Sequence, residues 1–283
     1  MKYQWKTTLW KTTLYAVHLM LVAIVCFPLI FALVSSFRPL ADVFRYVSPI
    51  TWKTFFPVDF TWEAYNNLFA LRGFGRVIFN TVYVTMMTVL FGVPINAMAA
   101  FALAKFIFKG RELLFLIVLF SFMIPFEIIA IPLYSIVNNL GWIDTYKGLI
   151  IPGIANGMVI FLFRQFFLDL PDSIIESARI DGASWLRIFF QIILPLSKPV
   201  TVSAALLTFI YQWESFMWPL IVTRSESLRV IQVSISYFTT EFATYWNEMF
   251  AASILAILPP IILILVLQRY FIEGIASTGS KEG

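Results

Sequence analysis

Runs of apolar residues long enough to cross a bilayer recur along this chain, at about residues 12–37, 77–104, 113–137, 149–167, 200–222 and 248–271. A helical crossing takes roughly 20 predominantly apolar residues, and each run meets that length. The pattern predicts an all-α integral membrane protein of six transmembrane helices. A tail is expected over residues 1–11, the membrane domain over 12–272, and a second tail over 273–283. Composition agrees: 60% of the 283 residues are hydrophobic and 13% charged, where a soluble domain carries about 25% charged residues. Thirty Phe and nine Trp suit lipid-facing surface and interfacial belts. No small-residue cleavage site follows the first run, so it reads as a span rather than a removed signal peptide.

Six spans place both termini on one side, and Lys and Arg decide which. About twelve of them fall in the tails and loops of that side and about eight on the other, five of those in the long segment after the first span. Short cytoplasmic loops carry the excess of Lys and Arg, so both termini are expected in the cytoplasm. The net charge of +4 follows from the same loops. With no basic patch interleaved with aromatics on a soluble domain, nucleic acid is not expected as a partner.

Several chemistries are excluded by residues the chain lacks. Cys26 is its single cysteine and His18 its single histidine. An intrachain disulfide, a Cys-ligand zinc site and a His-based catalytic arrangement therefore have too few members. No metal site and no catalytic residue are expected. No Gly-x-x-x-x-Gly-Lys-Ser/Thr phosphate loop occurs, so ATP is not bound and hydrolysed by that route. If the chain drives uphill transport, the energy arrives from another subunit through a cytoplasmic contact.

Residues 170–199, LPDSIIESARIDGASWLRIFFQIILPLSKP, form a polar passage between two strongly apolar runs. The spacing predicts two short helices around a turn. Asp172 and Ser173 are good N-caps, and Glu176 stands three residues after Ser173, as in a capping box. A first helix is expected over about 174–180, with Gly182 supplying a positive φ at its end. A second is expected from about Ser184, with Trp185, Ile188, Phe189 and Ile192 on one face, ended by Pro195 and Pro199. Read locally, this is a capped connector between two spans.

A family resemblance makes the passage more specific. Glu176-Ser177-Ala178, then three residues, Gly182, nine residues, and Ile192-Ile193-Leu194-Pro195 resemble the EAA loop of ABC importer permeases. Ser177 in place of Ala is the one departure. IPFEIIAIPLY, GWIDTYKGLIIP, FLFRQFFLDLP, FMWPL and QRYFIEG extend the likeness over most of the chain, to the second permease of carbohydrate ABC importers. The family's usual ending is only faintly echoed by residues 279–283, and Trp213-Glu214 stands where members often have Trp-Asn.

The resemblance implies the type I ABC importer permease fold in a bacterial or archaeal plasma (inner) membrane. It implies a second homologous permease, two ATPase subunits and an extracytoplasmic solute-binding protein as partners, with a sugar as substrate. ATP and Mg would be bound by the ATPases, and no cofactor by this chain. Glu176 would brace the loop and bond the ATPase. Ser177 and Ala178 would permit close contact, and Asp181 and Gly182 would set the turn. Ile192, Leu194 and Pro195 would anchor the loop to the membrane core.

The spans carry fewer signals. Gly153 and Gly157 form a Gly-x-x-x-Gly, expected to serve close helix packing. Glu127, between Pro125 and Pro132, and Glu214, in YQWESFMWPL, are read as mid-span. Carboxyls at that depth are costly and face protein or a water-filled path. Tyr211 and Glu214 share a face at three-residue spacing and are expected to line a substrate path, with Gln212 and Trp213 to the side. Pairing with a neighbouring helix is the competing reading of Glu214. A secondary transporter using Glu127 and Glu214 as proton sites is the alternative function, although no inverted repeat is evident. An integral-membrane enzyme is a third class, for which one His and one Cys leave little chemistry.

Overall fold

In the computed structural model, the backbone is described for residues 2–239 and 243–279, and side chains for residues 10–239 and 243–268. The expected ending at residues 280–283 lies outside the described residues. In chain order the helices are α1 (Lys2–Ser35), α2 (Trp52–Phe55), α3 (Glu63–Ala70), α4 (Phe74–Lys105), α5 (Arg111–Met123), α6 (Phe126–Asn139) and α7 (Tyr146–Ile154). There follow α8 (Gly157–Asp169), α9 (Asp172–Ile180), α10 (Trp185–Leu196), α11 (Lys198–Trp213), α12 (Met217–Val222), α13 (Ile231–Ser236) and α14 (Trp246–Gly279). Among the described residues the β-type pairing is one isolated bridge, Thr239 with Thr244.

The chain forms two compact units, Met1–Phe74 with Ile235–Leu258, and Gly75–Ser234 with Pro259–Gly283. In the first, the segment after α1 folds around Arg38, which is 1% exposed. Its guanidinium donates to the carbonyls of Lys53, Thr54 and Phe56. The stretch FTWEAYNNLF carries α3, which buries Ala64 and Leu68. Glu248, buried near the start of α14, accepts from Asn67 at 3.1 Å and Arg72 at 2.9 Å. That satisfies a carboxylate that would otherwise be expensive there.

In the second unit, small and aromatic residues of α4, α8, α10 and α11 interlock, including Ala97, Phe101, Phe163, Ile188 and Ala204. At the turn before α7, Asp144 takes a left-handed backbone, φ 57°. Its Oδ1 accepts from the N–H groups of Arg224 and Ser225, both at 2.9 Å. These bonds hold its carboxyl below the ordinary range.

Four stretches are long and apolar enough to cross a membrane: Trp10–Ser35, Phe74–Lys105, Tyr146–Asp169 and Trp246–Gln268. Two more arise only as bent pairs, α5 with α6 at 103° and α10 with α11 at 86°. The single helix expected over 113–137 is therefore corrected. Ile124 and Pro125 are extended, because the ring of a proline pushes its predecessor out of the helical region. The helix expected over 200–222 ends at Trp213 and restarts at Met217. Gly92 and Pro94, residues that often interrupt helices, lie inside an unbroken α4.

The glycine pair of span 4 also divides its labour. The helix breaks at Ala155 and Asn156, so the two do not form one stripe. A Cβ on Gly153 would meet the Gln212 side chain of α11 at 2.9 Å, and one on Gly157 the Val118 carbonyl of α5 at 2.9 Å.

Candidate functional site: a braced loop and a cavity at the helix breaks

The passage 170–199 comprises α9, a turn and α10. Contrary to the capping-box expectation, α9 starts at Asp172 with Pro171 as N-cap and no side-chain cap. Asp172 already lies in the first turn, where its charge suits the helix dipole. The other end follows the expectation for Gly182. Gly182 has φ 78°. Its N–H bonds the Arg179 carbonyl at 3.0 Å, and the Ala183 N–H bonds the Ala178 carbonyl at 3.0 Å. That pair of bonds is the Schellman motif. Arg179 closes the turn from outside, donating to the Ala183 carbonyl at 3.1 Å and lying 5.0 Å from the Trp185 ring centre. Ser184 caps α10 by accepting from the Arg187 N–H.

The loop has one face in the core and one face free. Ile175, Ala178, Ala183, Ile188, Phe189 and Ile193 are buried. Glu176, Ser177, Asp181 and Gly182 are exposed, and so are Ile180 at 85% and Leu186 at 66%. Ala178 therefore faces its own chain, and its small size serves inward packing rather than a partner. Of the expected anchor, Ile192 and Leu194 are partly buried and pack against this core and Pro195 is exposed, while Ile188, Phe189 and Ile193 are sealed. Residues Phe189–Ile193 form a π-helical stretch. Pro199 does not end α10; it stands in the first turn of α11, where its missing N–H costs nothing.

Lys105, read only as loop charge, holds this passage in place, and Arg164 ties α8 to the turn between α4 and α5. Lys105, whose side chain is 7% exposed, ends α4. Its Nζ donates to the Leu170 carbonyl at 2.6 Å and to Asp172 Oδ1 at 2.7 Å. Arg164 of α8 donates to the Leu103 carbonyl and to both oxygens of Glu112 at 3.1 Å, with Phe115 stacked 3.8 Å away. Hydrogen bonds to a charged group are worth about 1.5–3 kcal/mol. Lys105→Met is accordingly expected to speed amide hydrogen exchange across residues 170–183 by about tenfold or more, with Lys105→Arg much closer to wild type. Equal exchange in the methionine variant would show that Lys105 does not brace the loop.

Deeper in the second unit, three helix breaks open on one cavity of about 960 Å³. Ile124 and Pro125 line it at the α5–α6 bend, Ala155 and Asn156 at the α7–α8 break, Tyr211 and Gln212 in the last turn of α11, and Glu214 and Ser215 just beyond it. Backbone groups freed by a break inside a membrane must find partners, and here Asn96 of α4 supplies them. Its Nδ2 donates to the Ile154 carbonyl at 2.7 Å, and its Oδ1 accepts from the Asn156 N–H at 3.0 Å. Asn156 Oδ1 in turn accepts from the N–H groups of Met158 and Val159, at 3.0 and 3.2 Å. Asn96 and Asn156 had no place in the sequence reading. A lone amide inside an apolar run is costly in a membrane, and that cost was the available signal.

The three residues expected on a path are treated differently. Tyr211 and Glu214 both line the cavity. Glu214 is not mid-helix, however; it is the C-cap of α11. Glu127 is exposed in the first turn of α6 and does not line the cavity. Gln212, set aside by helical spacing, lines it too. Trp213 is 2% exposed and stacks on Phe209 at 5.3 Å instead.

Fold and site together define a multi-span, all-helical membrane protein with a polar loop braced beneath its core. Residues 92–277 match the family model described as binding-protein-dependent transport system inner membrane component. The chain belongs to that family. It is 35% identical over 259 residues to the arabinooligosaccharides transport system permease protein AraQ of Halalkalibacterium halodurans, covering 91% of this chain and 92% of that protein. It is 33% identical to the sn-glycerol-3-phosphate transport system permease protein UgpE of Rhizobium meliloti, covering 92% and 95%. Its fold matches that of a bacterial ABC transporter involved in the import of the acidic polysaccharide alginate, with TM-score 0.82, 24% identity, and 94% and 98% coverage.

Proposed function

We propose that this chain is one permease of an ATP-driven, binding-protein-dependent importer of a sugar or oligosaccharide. Relatives named for arabinooligosaccharide and glycerol phosphate transport support that reading, as does an alginate transporter solved with its sugar-bound periplasmic protein. Membership of this family leaves no support for a proton-driven secondary transporter. The chain crosses the membrane six times with both termini inside, α5 and α6 together serving as one span and α11 as another, while α10 belongs to the cytoplasmic passage. It pairs with a second permease, two ATPases and an external solute-binding protein. ATP and Mg bind to the ATPases.

One observation carries the coupling role. The passage 170–199 is sealed to the core on one side and presents Glu176, Ser177, Ile180, Gly182 and Leu186 on the other. A moving ATPase grips that free face. The brace at Lys105 and the core packing of Phe189 and Ile193 pass the motion into α4, α8 and α11. Those helices wall or support the cavity, so the cavity opens to alternate sides of the membrane. Tyr211 and Glu214 meet the sugar there, a ring offering flat apolar area and a carboxyl accepting hydroxyl hydrogen bonds.

Reconstitution tests this directly. The purified chain alone is expected to hydrolyse no ATP. The four-component complex is expected to hydrolyse it faster when binding protein and sugar are added. ATPase activity from this chain by itself would sink the reading.

A further inference from the structure

The relatives do not decide the charge of the substrate. One takes its name from a neutral oligosaccharide and another from a phosphate ester, at nearly equal identity. The cavity wall is more selective. Among its lining residues none is Lys, Arg or His, and Glu214 is the one with a carboxyl side chain. Tyr211, Gln212, Asn156 and Ser215 supply neutral hydrogen-bonding groups beside apolar ones, the pattern of a site for uncharged polar ligands.

Helix N-termini are the usual way a cavity without cations still attracts an anion. The start of α8 opens here and is already answered from within the chain: the Asn156 side chain occupies the N–H groups of Met158 and Val159. An incoming anion therefore finds one carboxyl on the wall and no cationic side chain to meet it. The volume, about 960 Å³, lies at the upper end of the roughly 300–1,000 Å³ of ligand pockets. It suits a short oligosaccharide better than a three-carbon phosphate.

We propose that this cavity takes neutral short oligosaccharides and turns away anionic sugars, sugar acids and sugar phosphates alike, with Glu214 as the discriminating residue. The inference rests on the import reading above. The test uses the assembled importer with its binding protein in liposomes, supplied with neutral di- to tetrasaccharides and their aldonic acids. Each is added at a concentration that saturates the binding protein, so uptake reports the membrane step. A like charge within about 10 Å at an effective dielectric near 20 changes affinity by about tenfold. Wild type is expected to carry the neutral sugars about tenfold faster than their acids. Glu214→Gln is expected to cut that ratio at least threefold, and Glu214→Lys to cut it further or invert it. The binding protein is the same in every case, so a changed ratio belongs to the permease.

Equal uptake of neutral and acidic sugars by wild type overturns the proposal. So does a ratio untouched by both substitutions in complexes that still assemble. The wild-type ratio needs no variant and decides the matter even if Glu214 proves necessary for assembly. Failure to copurify with an ATPase, or uptake of no sugar of either kind, overturns the import reading itself.

Discussion

Gly182→Val is expected to leave the protein in the membrane and to lower ATP-driven uptake by the assembled importer at least tenfold. The turn between α9 and α10 needs φ 78° at this position, and both Schellman bonds depend on it. A β-branched residue in the left-handed region costs on the order of 1–3 kcal/mol. No atom beyond its immediate chain neighbours lies within 4 Å of where a Cβ would stand, so the substitution meets no internal clash. Its cost is backbone strain, together with bulk on a face we assign to the ATPase. Gly182→Asn separates the two, since asparagine tolerates this backbone but still adds a side chain. Uptake restored by asparagine assigns the loss to the turn. Loss in both variants assigns it to the contact. Normal uptake in the valine variant removes Gly182 from the coupling site.

Asn96→Leu is expected to lower the thermal unfolding temperature of the purified protein by several degrees and to reduce uptake. Leucine nearly fills the volume but leaves the Ile154 carbonyl and the Asn156 N–H at the α7–α8 break without their partner. An unsatisfied buried group costs about 1–3 kcal/mol, and membrane hydrogen bonds measured by double-mutant cycles average nearer 0.6 kcal/mol. A total of about 1–4 kcal/mol is therefore expected, and 1 kcal/mol moves the midpoint by about 2–4 °C in a chain of this size. Asn96→Asp keeps the acceptor for Asn156 and loses the donor to Ile154, so it should fall between. A leucine variant as stable as wild type would mean that water or another group satisfies the break.

Much of this was legible in the sequence because it is decided by transfer free energy or by a single residue's backbone. Long uncharged runs have no stable home outside a bilayer, which set the class. Gly182 announced its own turn, and fixed residues at fixed spacing around it announced the family. The helix ends were less legible. Ser173 and Glu176 have capping-box spacing, yet α9 starts before them, where Asp172 is drawn to Lys105 at 2.7 Å, a residue sixty-seven positions earlier.

What only the tertiary structure decided was where apolar runs break and what sits at the breaks. Hydrophobicity is the same whether a run is straight or bent by 103°. Pro94 and Pro132 lie inside helices while Pro125 ends one. Gly153 and Gly157 face different helices, and Ile193 is sealed in the core where Ile192 is only partly buried against it. The cavity depends on three breaks far apart in the chain meeting in space, and one of them is held by Asn96 from a fourth helix. A local pattern records the cost of a freed backbone group, but its partner lies across the fold, and only packing brings the two within hydrogen-bond distance.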